Sequence, residues 1–292
     1  MFLCDGQGNL LESRSGPGTV QAHGRFASVF DELTADWREQ RGARQAILCG
    51  MVGSRLGWRE TPYLASPIDP VQLVSACVKL RGGDIRLVPG ISCRNRLGAP
   101  DLMRGEETQV LGALRLDPEL RRGRHLLCLP GTHTKWVVLE DGAIAEFLTV
   151  PAGELFALIS QHSVLVNDDS NSWDDRAFER GLAEFARDPH VQVLHRLFQS
   201  RSRWMTGELA AEATPAFLSG LLIACDIHGA LDLLLPNDAR IVQVIASTRL
   251  AELYAKGIAA LRRAARCFDG EAAALAGLAH LLALATMRDH AR

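Results

Sequence analysis

Several familiar signatures are missing from this chain of 292 residues, and each absence removes a class of function. The seven cysteines are scattered and none forms a C-x-x-C pair, which fits reduced cytosolic thiols and not a disulfide frame or a zinc site. There is no basic excess. The formal net charge is -2, which argues against nucleic acid as the main partner, because binding to a phosphate backbone shows as surplus lysine and arginine. No apolar run is both long enough and free enough of charge to read as a membrane span. The nearest, "GLLIACDIHGALDLLL", is interrupted by Asp226 and Asp232 and reads as a buried helix. The N-terminus shows no basic stretch followed by an apolar one, so no secretory leader is expected and the cytoplasm is the expected location. The P-loop pattern, G-x-S-x-G and H-E-x-x-H are all absent. "GQG" at Gly6–Gly8 lacks a third glycine and a following helix, so it reads as a turn and not as a dinucleotide fingerprint.

What is present is a chain rich enough in apolar residues, at 47%, to build a sizeable core and long enough for two domains. "MFLCDGQGNLLESRS" predicts strand, tight turn, strand. In "RFASVFDELTADWREQ" the apolar residues Phe26, Val29, Phe30, Leu33 and Trp37 recur at helical spacing. "QAILCG" reads as a short buried strand that runs into the glycine-rich loop "GMVGSRLGW". "PVQLVSACVKL" reads as a helix, "DIRLVPG" as a strand, and "GEETQVLGAL" as a helix with two glutamates where its dipole favours them. Residues 125–147 read as three strands, with a glycine turn between the first two and an Asp-Gly turn between the last two. Beyond them the pattern is mostly helical: "ARIVQVIAS" is the one clear late strand, "TRLAELYAKGIAALRRAA" a helix, and "EAAALAGLAHLLALA" a very apolar closing helix expected to be buried. The shift in composition near 150–170 suggests a domain boundary there.

Three stretches could carry chemistry. "GTHTK" (Gly131, Thr132, His133, Thr134, Lys135) gathers backbone N–H groups, two hydroxyls and an ammonium in one tight loop, which suits an anion such as phosphate. A surface turn with ordinary polar residues fits the same spacing equally well. In "MRGEETQ", Glu106 and Glu107 could serve as a general base and a metal anchor; acids opening a helix are also common without any function. "GMVGSRLGWRETPYL" follows a buried strand, where open α/β sheets place ligands. Arg55, Arg59 or Arg104 could hold a carboxylate through its planar fork, and each could equally be a solvated arginine.

Together these pieces resemble the 2-dehydro-3-deoxygalactonokinase family, sugar-acid kinases of the actin/hexokinase/Hsp70 superfamily. The matching segments are "CGMVGSRLGWRETPYL", "LVPGI", "DLMRGEETQVLGAL", "LPGTHTKWV", "GELFALISQHSVL", "FERGL", "FLSGLLIA" and "GEAAALAGL", in the family's order and over nearly the whole chain. The resemblance implies an α/β fold of two actin-like (ribonuclease H-like) domains, 1–122 for the sugar acid and 123–292 for the nucleotide, with ATP in the cleft. It implies transfer of phosphate from ATP, with Mg²⁺, to the terminal hydroxyl of 2-dehydro-3-deoxy-D-galactonate. Gly131, Thr132, His133, Thr134 and Lys135 would then face the ATP phosphates. Glu106 or Glu107 would be the base, Ala246, Ser247 and Leu250 would approach the adenosine, and Gly53, Ser54, Arg55, Trp58, Arg104 and Glu154 the sugar acid. No residue is assigned to the metal, and the assembly is left open, with a homodimer among the alternatives. No nucleic-acid or membrane partner is implied.

The sequence also departs from the family pattern. The family opens with a strand ending in an Asp-Trp-Gly-Thr-like phosphate turn, whereas "MFLCDGQGNLLESRS" matches the end of the family's second strand and its third. A start codon placed too far downstream is the expected reason. A genuine truncation would leave a sugar-acid-binding protein without kinase activity. Ser247 stands where glycine is usual, Glu271 where aspartate is usual, and Ala152 where threonine is common.

Overall fold

The computed structural model describes residues 1–43, 45–167, 173–235 and 240–290. The chain divides into two compact units: Met1–Arg124 with Leu139–Phe147 and Gly270–Arg292, and His125–Val138 with Leu148–Asp269. The single division expected from the sequence is replaced by an interleaved one, because a hairpin tip and the closing helix belong to the first unit.

In chain order the elements are β1 (Phe2–Cys4), β2 (Leu10–Ser13), α1 (Phe26–Arg41), β3 (Ala46–Leu48), β4 (Tyr63–Ala65), α2 (Pro70–Ser75), β5 (Val78–Leu80), β6 (Ile85–Leu87), β7 (Gly90–Arg94), β8 (Pro100–Met103) and α3 (Glu106–Leu116). They continue with β9 (Arg124–Leu129), β10 (Thr134–Glu140), β11 (Ala143–Val150), α4 (Ala152–His162), α5 (Asp175–Ala186), α6 (Gln199–Met205), α7 (Thr214–Leu234), β12 (Val242–Ala246), α8 (Thr248–Ala260), β13 (Ala265–Asp269) and α9 (Gly270–His290). The longest sheet has the order β11-β10-β9-β12-β13. Three consecutive strands followed by two parallel ones give the ribonuclease H-like order that the resemblance implies. The β10–β11 turn places Asp141 at φ 49° and Gly142 at φ 80°, the left-handed pair that a two-residue hairpin turn requires.

Four expectations are corrected. "PVQLVSACVKL" does not stay helical: α2 stops at Ser75, and Val78–Leu80 pairs antiparallel with β6. The second late strand, β13, escapes the sequence pattern because it is short, largely exposed and paired along its length only with β12. Arg262, at φ 58°, breaks the helix that the pattern would carry through 265. The closing helix α9 is half-exposed along much of its length and not deeply buried. By length and composition α7 and α9 are each apolar enough to cross a membrane, contrary to expectation, yet α7 is enclosed in the second unit's core with Phe178, Phe185 and Leu182 of α5.

Both units rely on helices that cross at glycine. In the first unit, a Cβ on Gly112 of α3 would lie 1.7 Å from the Ala273 carbonyl oxygen of α9, and one on Gly277 of α9 would lie 1.9 Å from the Thr108 carbonyl oxygen. In the second, Gly181 of α5 and Gly220 of α7 meet in the same way, with a Cβ on either standing 2.2 Å from a carbonyl oxygen of the partner helix. These distances leave no room for a methyl group, so the backbones touch directly. Alanine normally stabilises a helix interior by about 1 kcal/mol relative to glycine. Here Gly112→Ala and Gly220→Ala should each destabilise their unit by roughly 2 kcal/mol or more, because the helices must separate. Urea unfolding measures this; a gain in stability would show that the crossings are looser than described.

Candidate functional site

The second unit's site follows from strand register. β9 and β12 run parallel, with Val242 opposite Leu126 and Val244 opposite Cys128. Continuing that register brings Ala246, the end of β12, level with Pro130. The bend at Gly131–His133 and the β12–α8 turn at Ser247 therefore leave one sheet edge from adjacent strands, roughly 5 Å apart. β13 ends at the same edge, since Ala246 lies opposite Asp269. The carboxyl edge of parallel strands is where open α/β sheets hold ligands.

Helix α4 closes on this bend. A Cβ on Gly153 would meet the Gly131 carbonyl oxygen at 2.2 Å, and the Glu154 N–H donates to the Thr132 carbonyl at 2.9 Å. The Glu154 carboxylate reaches the His133 Nε2 at 2.8 Å, so this expected sugar-acid residue stands at the phosphate bend. Thr132 and His133 are exposed, as are Ser247 and the head of α8. Among the described residues no acceptor takes the backbone N–H of Gly131, Thr132 or His133. The Ser247 hydroxyl makes no capping bond to α8.

Two of the five expected phosphate residues point inward instead. Lys135 is buried and donates to the Thr149 Oγ1 at 2.8 Å. Thr134 is fully buried and its Oγ1 lies 2.9 Å from the Tyr254 hydroxyl of α8. Tyr254 donates to Asp226 Oδ2 at 2.6 Å, and Trp136 Nε1 donates to Oδ1 of the same carboxylate at 2.7 Å. Burial pushes the Asp226 carboxyl up to about 6, against the pull of the hydrogen bonds it accepts. In the sequence Asp226 is visible only as an interruption in an apolar helix. A charge placed there needs partners, and that is the signal by which the network could have been found. Of the expected adenosine residues, Ala246 is buried at the strand end, Leu250 is half-buried on the first turn of α8, and Ser247 is exposed.

In the first unit, the segment before α3 folds back on the 50–61 loop. Gly105 takes φ 114°, open to glycine alone, and a Cβ there would approach the Gly50 Cα at 3.2 Å. Each glutamate of the pair then turns back on the backbone: Glu106 Oε2 accepts the Arg104 N–H at 3.0 Å and Glu107 Oε2 accepts the Gly105 N–H at 2.6 Å. Their environments differ sharply. Glu106 is half-exposed, whereas Glu107 is fully buried, with its Oε1 lacking a hydrogen-bond partner among the described residues. Burial pushes the Glu107 carboxyl up to about 8. The neighbouring Cys49 thiol is pushed up to about 12 by burial first and by the Glu107 charge second. Glu107 thus carries a proton at neutral pH.

The expected sugar-acid residues of this unit are mostly engaged with neighbouring side chains and backbone. Arg104 donates to the Thr61 hydroxyl and, at 3.0 Å, to the Thr61 carbonyl, and its guanidinium lies over the Tyr63 ring. Gly53 is buried where a Cβ would collide with the Thr61 Oγ1 at 2.8 Å. Ser54 donates to the Met51 carbonyl. Trp58 packs against Phe30 with Arg81 over its ring. Arg55 is the open cation of the group, 87% exposed and 3.2 Å from Glu60.

Glu107 generates a test. Its folded-state pKa lies above its ordinary value of 4.5, so the stability it confers is complete below about 4.5 and is lost as pH rises through about 8. Glu107→Gln removes that titration. Its melting temperature should match the wild type near pH 5 and exceed it by roughly 4 °C or more at pH 8.5. A gap that stays constant with pH would contradict the buried, protonated assignment.

Comparison with known proteins fits this geometry. The family model described as 2-keto-3-deoxy-galactonokinase matches residues 1–281. The chain is 34% identical over 273 residues to the 2-dehydro-3-deoxygalactonokinase of Escherichia coli (strain K12), covering 92% of this chain and 88% of that one. It is 35% identical over 276 residues to a Rhizobium meliloti (strain 1021) relative described the same way, again with 92% and 88% covered. A crystal structure from Sinorhizobium meliloti, described as a 2-dehydro-3-deoxygalactonokinase protein, superposes with a TM-score of 0.87 at 32% identity, over 98% of this chain and 94% of that chain. The chain belongs to the 2-keto-3-deoxy-galactonokinase family, and its family is one of phosphotransferases.

Proposed function

We propose that this protein transfers the γ-phosphoryl group of ATP to the 6-hydroxyl of 2-dehydro-3-deoxy-D-galactonate, giving the 6-phosphate and ADP, as a cytoplasmic step of galactonate breakdown. The observation that carries this reading is the shared carboxyl edge of β9 and β12, where the open bend 131–133 and the Ser247 turn lie side by side. Neither a left-handed φ nor crowding requires glycine at 131, since a Cβ there would meet nothing within 4 Å. A close-approaching phosphate supplies the missing reason. Free backbone N–H groups and the Thr132 hydroxyl form the donor set for phosphate oxygens. Ser247 and Leu250 border the adenosine.

Phosphoryl transfer needs placement and charge stabilisation more than covalent help from the protein. The acceptor oxygen forms a bond to the γ-phosphorus, the bond from that phosphorus to the β–γ bridging oxygen breaks, and ADP departs with the electron pair. The acceptor proton needs a base. Glu106 fits that task because its carboxylate is half-exposed, whereas Glu107 already holds a proton and has no surface. Arg55 and Arg59, both exposed on the 50–61 loop, are the cations offered to the substrate carboxylate. Among the described residues no three His, Cys, Asp or Glu side chains form a metal cage. A Mg²⁺ ion arriving with ATP needs only one or two protein oxygens, and the half-exposed Glu154 carboxylate beside the bend is a fitting hard ligand. The ion would neutralise charge on the phosphates.

A coupled assay with ATP and 2-dehydro-3-deoxy-D-galactonate tests this reading. Glu106→Gln should lower kcat by roughly 100-fold or more while nucleotide binding persists. Glu107→Gln should stay within about threefold of the wild type near pH 7, since a glutamine resembles the protonated acid. Near-normal turnover in both variants would overturn the base assignment. Absence of phosphorylated product from the folded wild-type chain would overturn the kinase reading itself.

A further inference from the structure

The buried network under the phosphate bend links β10, α7 and α8 through directional bonds. Asp226 sits in the middle of α7, enclosed among apolar side chains, with no ion-pair partner among the described residues. A leucine would pack there without the desolvation cost of a carboxylate. What the carboxylate provides is direction. It accepts Trp136 Nε1 on one oxygen and the Tyr254 hydroxyl on the other, and Tyr254 in turn meets Thr134. Thr134 and Trp136 are two apart on β10, so they share one face of the strand. A slip of β10 by one residue would turn both to the opposite face and break both links. Tyr254 lies on α8, two turns after Ser247.

We infer that Asp226 is a positioning residue of the nucleotide site: through Tyr254 and Trp136 it sets the root of the phosphate bend and the α8 helix behind the adenosine turn from one buried point. This rests on the reading of that edge as the ATP site. Proton counting supports the arrangement. Tyr254 gives its one hydroxyl proton to Asp226, which leaves the Thr134 proton for Tyr254 or for the Asp226 carboxylate it also approaches. The Thr134 hydroxyl is therefore spent inward and cannot donate to a phosphate. Its contribution is to hold the strand on which the open donors at 131–133 are mounted.

Tyr254→Phe removes both hydroxyl links with almost no change of volume. Thr134→Val cuts the strand-side link alone, and serves if the first variant folds poorly. Asp226→Asn should instead keep the chain of bonds with its direction reversed: the amide donates to Tyr254, which then donates to Thr134, while the amide oxygen still accepts Trp136. Calorimetric ADP binding and steady-state kinetics on the full chain distinguish the cases. Tyr254→Phe and Thr134→Val should weaken ADP and raise KM for ATP by roughly tenfold, with KM for the sugar acid within about twofold. Asp226→Asn should bind ADP more tightly than either of those variants, because its chain of bonds survives. A merely structural role would lower the melting temperature of Tyr254→Phe and leave KM for ATP unchanged, and that outcome overturns the proposal. Equal changes in both KM values would overturn it too. Gly131→Val separates the two layers: if it also leaves ADP binding intact, the phosphate-bend reading itself has failed, whereas if it abolishes binding while Tyr254→Phe does not, only the role of Asp226 is refuted.

Discussion

The parallel pairing of β9 with β12 is the constraint on which the second unit's chemistry depends. Two segments more than a hundred residues apart in sequence are brought to one sheet edge by that register. Each strand then ends in a different kind of turn. β9 leaves through an exposed glycine bend with free donors, and β12 through a serine that opens a helix. Neither turn is a site alone. A nucleotide has a charged end and a flat apolar end, and the proposed site assigns one turn to each.

The first unit solves a different problem, that of giving adjacent carboxyl groups different environments. Successive residues on a helix point about 100° apart, so only one of two neighbouring glutamates can face the core. The close glycine crossing of α3 and α9 fixes which one. Glu107 is driven into that core, where burial raises its pKa, while Glu106 stays half-exposed. The strained Gly105 turn and the committed Arg104 guanidinium hold the start of α3 against the 50–61 loop, so the exposed acid sits on a fixed platform.

Much of this was legible in the sequence. The string "LPGTHTKWV" marked the bend, "MRGEETQ" marked the acid pair, and the resemblance supplied their order and fold. The choice between the glutamates was also available: Glu107 stands three, four and seven residues before Val110, Leu111 and Leu114, on the apolar stripe of α3. The fate of Thr134 and Lys135 was hidden because β10 is buried on both faces, so alternation gives no clue to direction. The partners of Asp226 and Tyr254 stayed invisible because they lie 90 and 120 residues away in the chain, and only the tertiary fold brings them together. The return of α9 to the first unit was likewise beyond reach, since helix pairing through glycine depends on which helices meet.

Hydrogen exchange of the backbone amides, with and without ADP, probes the central claim most directly, because the amides of the bend are themselves the proposed ligands. The account predicts slowed exchange at Gly131, Thr132 and His133 together with the first turn of α8 after Ser247 when nucleotide is added. Protection confined to other segments, with the bend exchanging as fast as before, would contradict it.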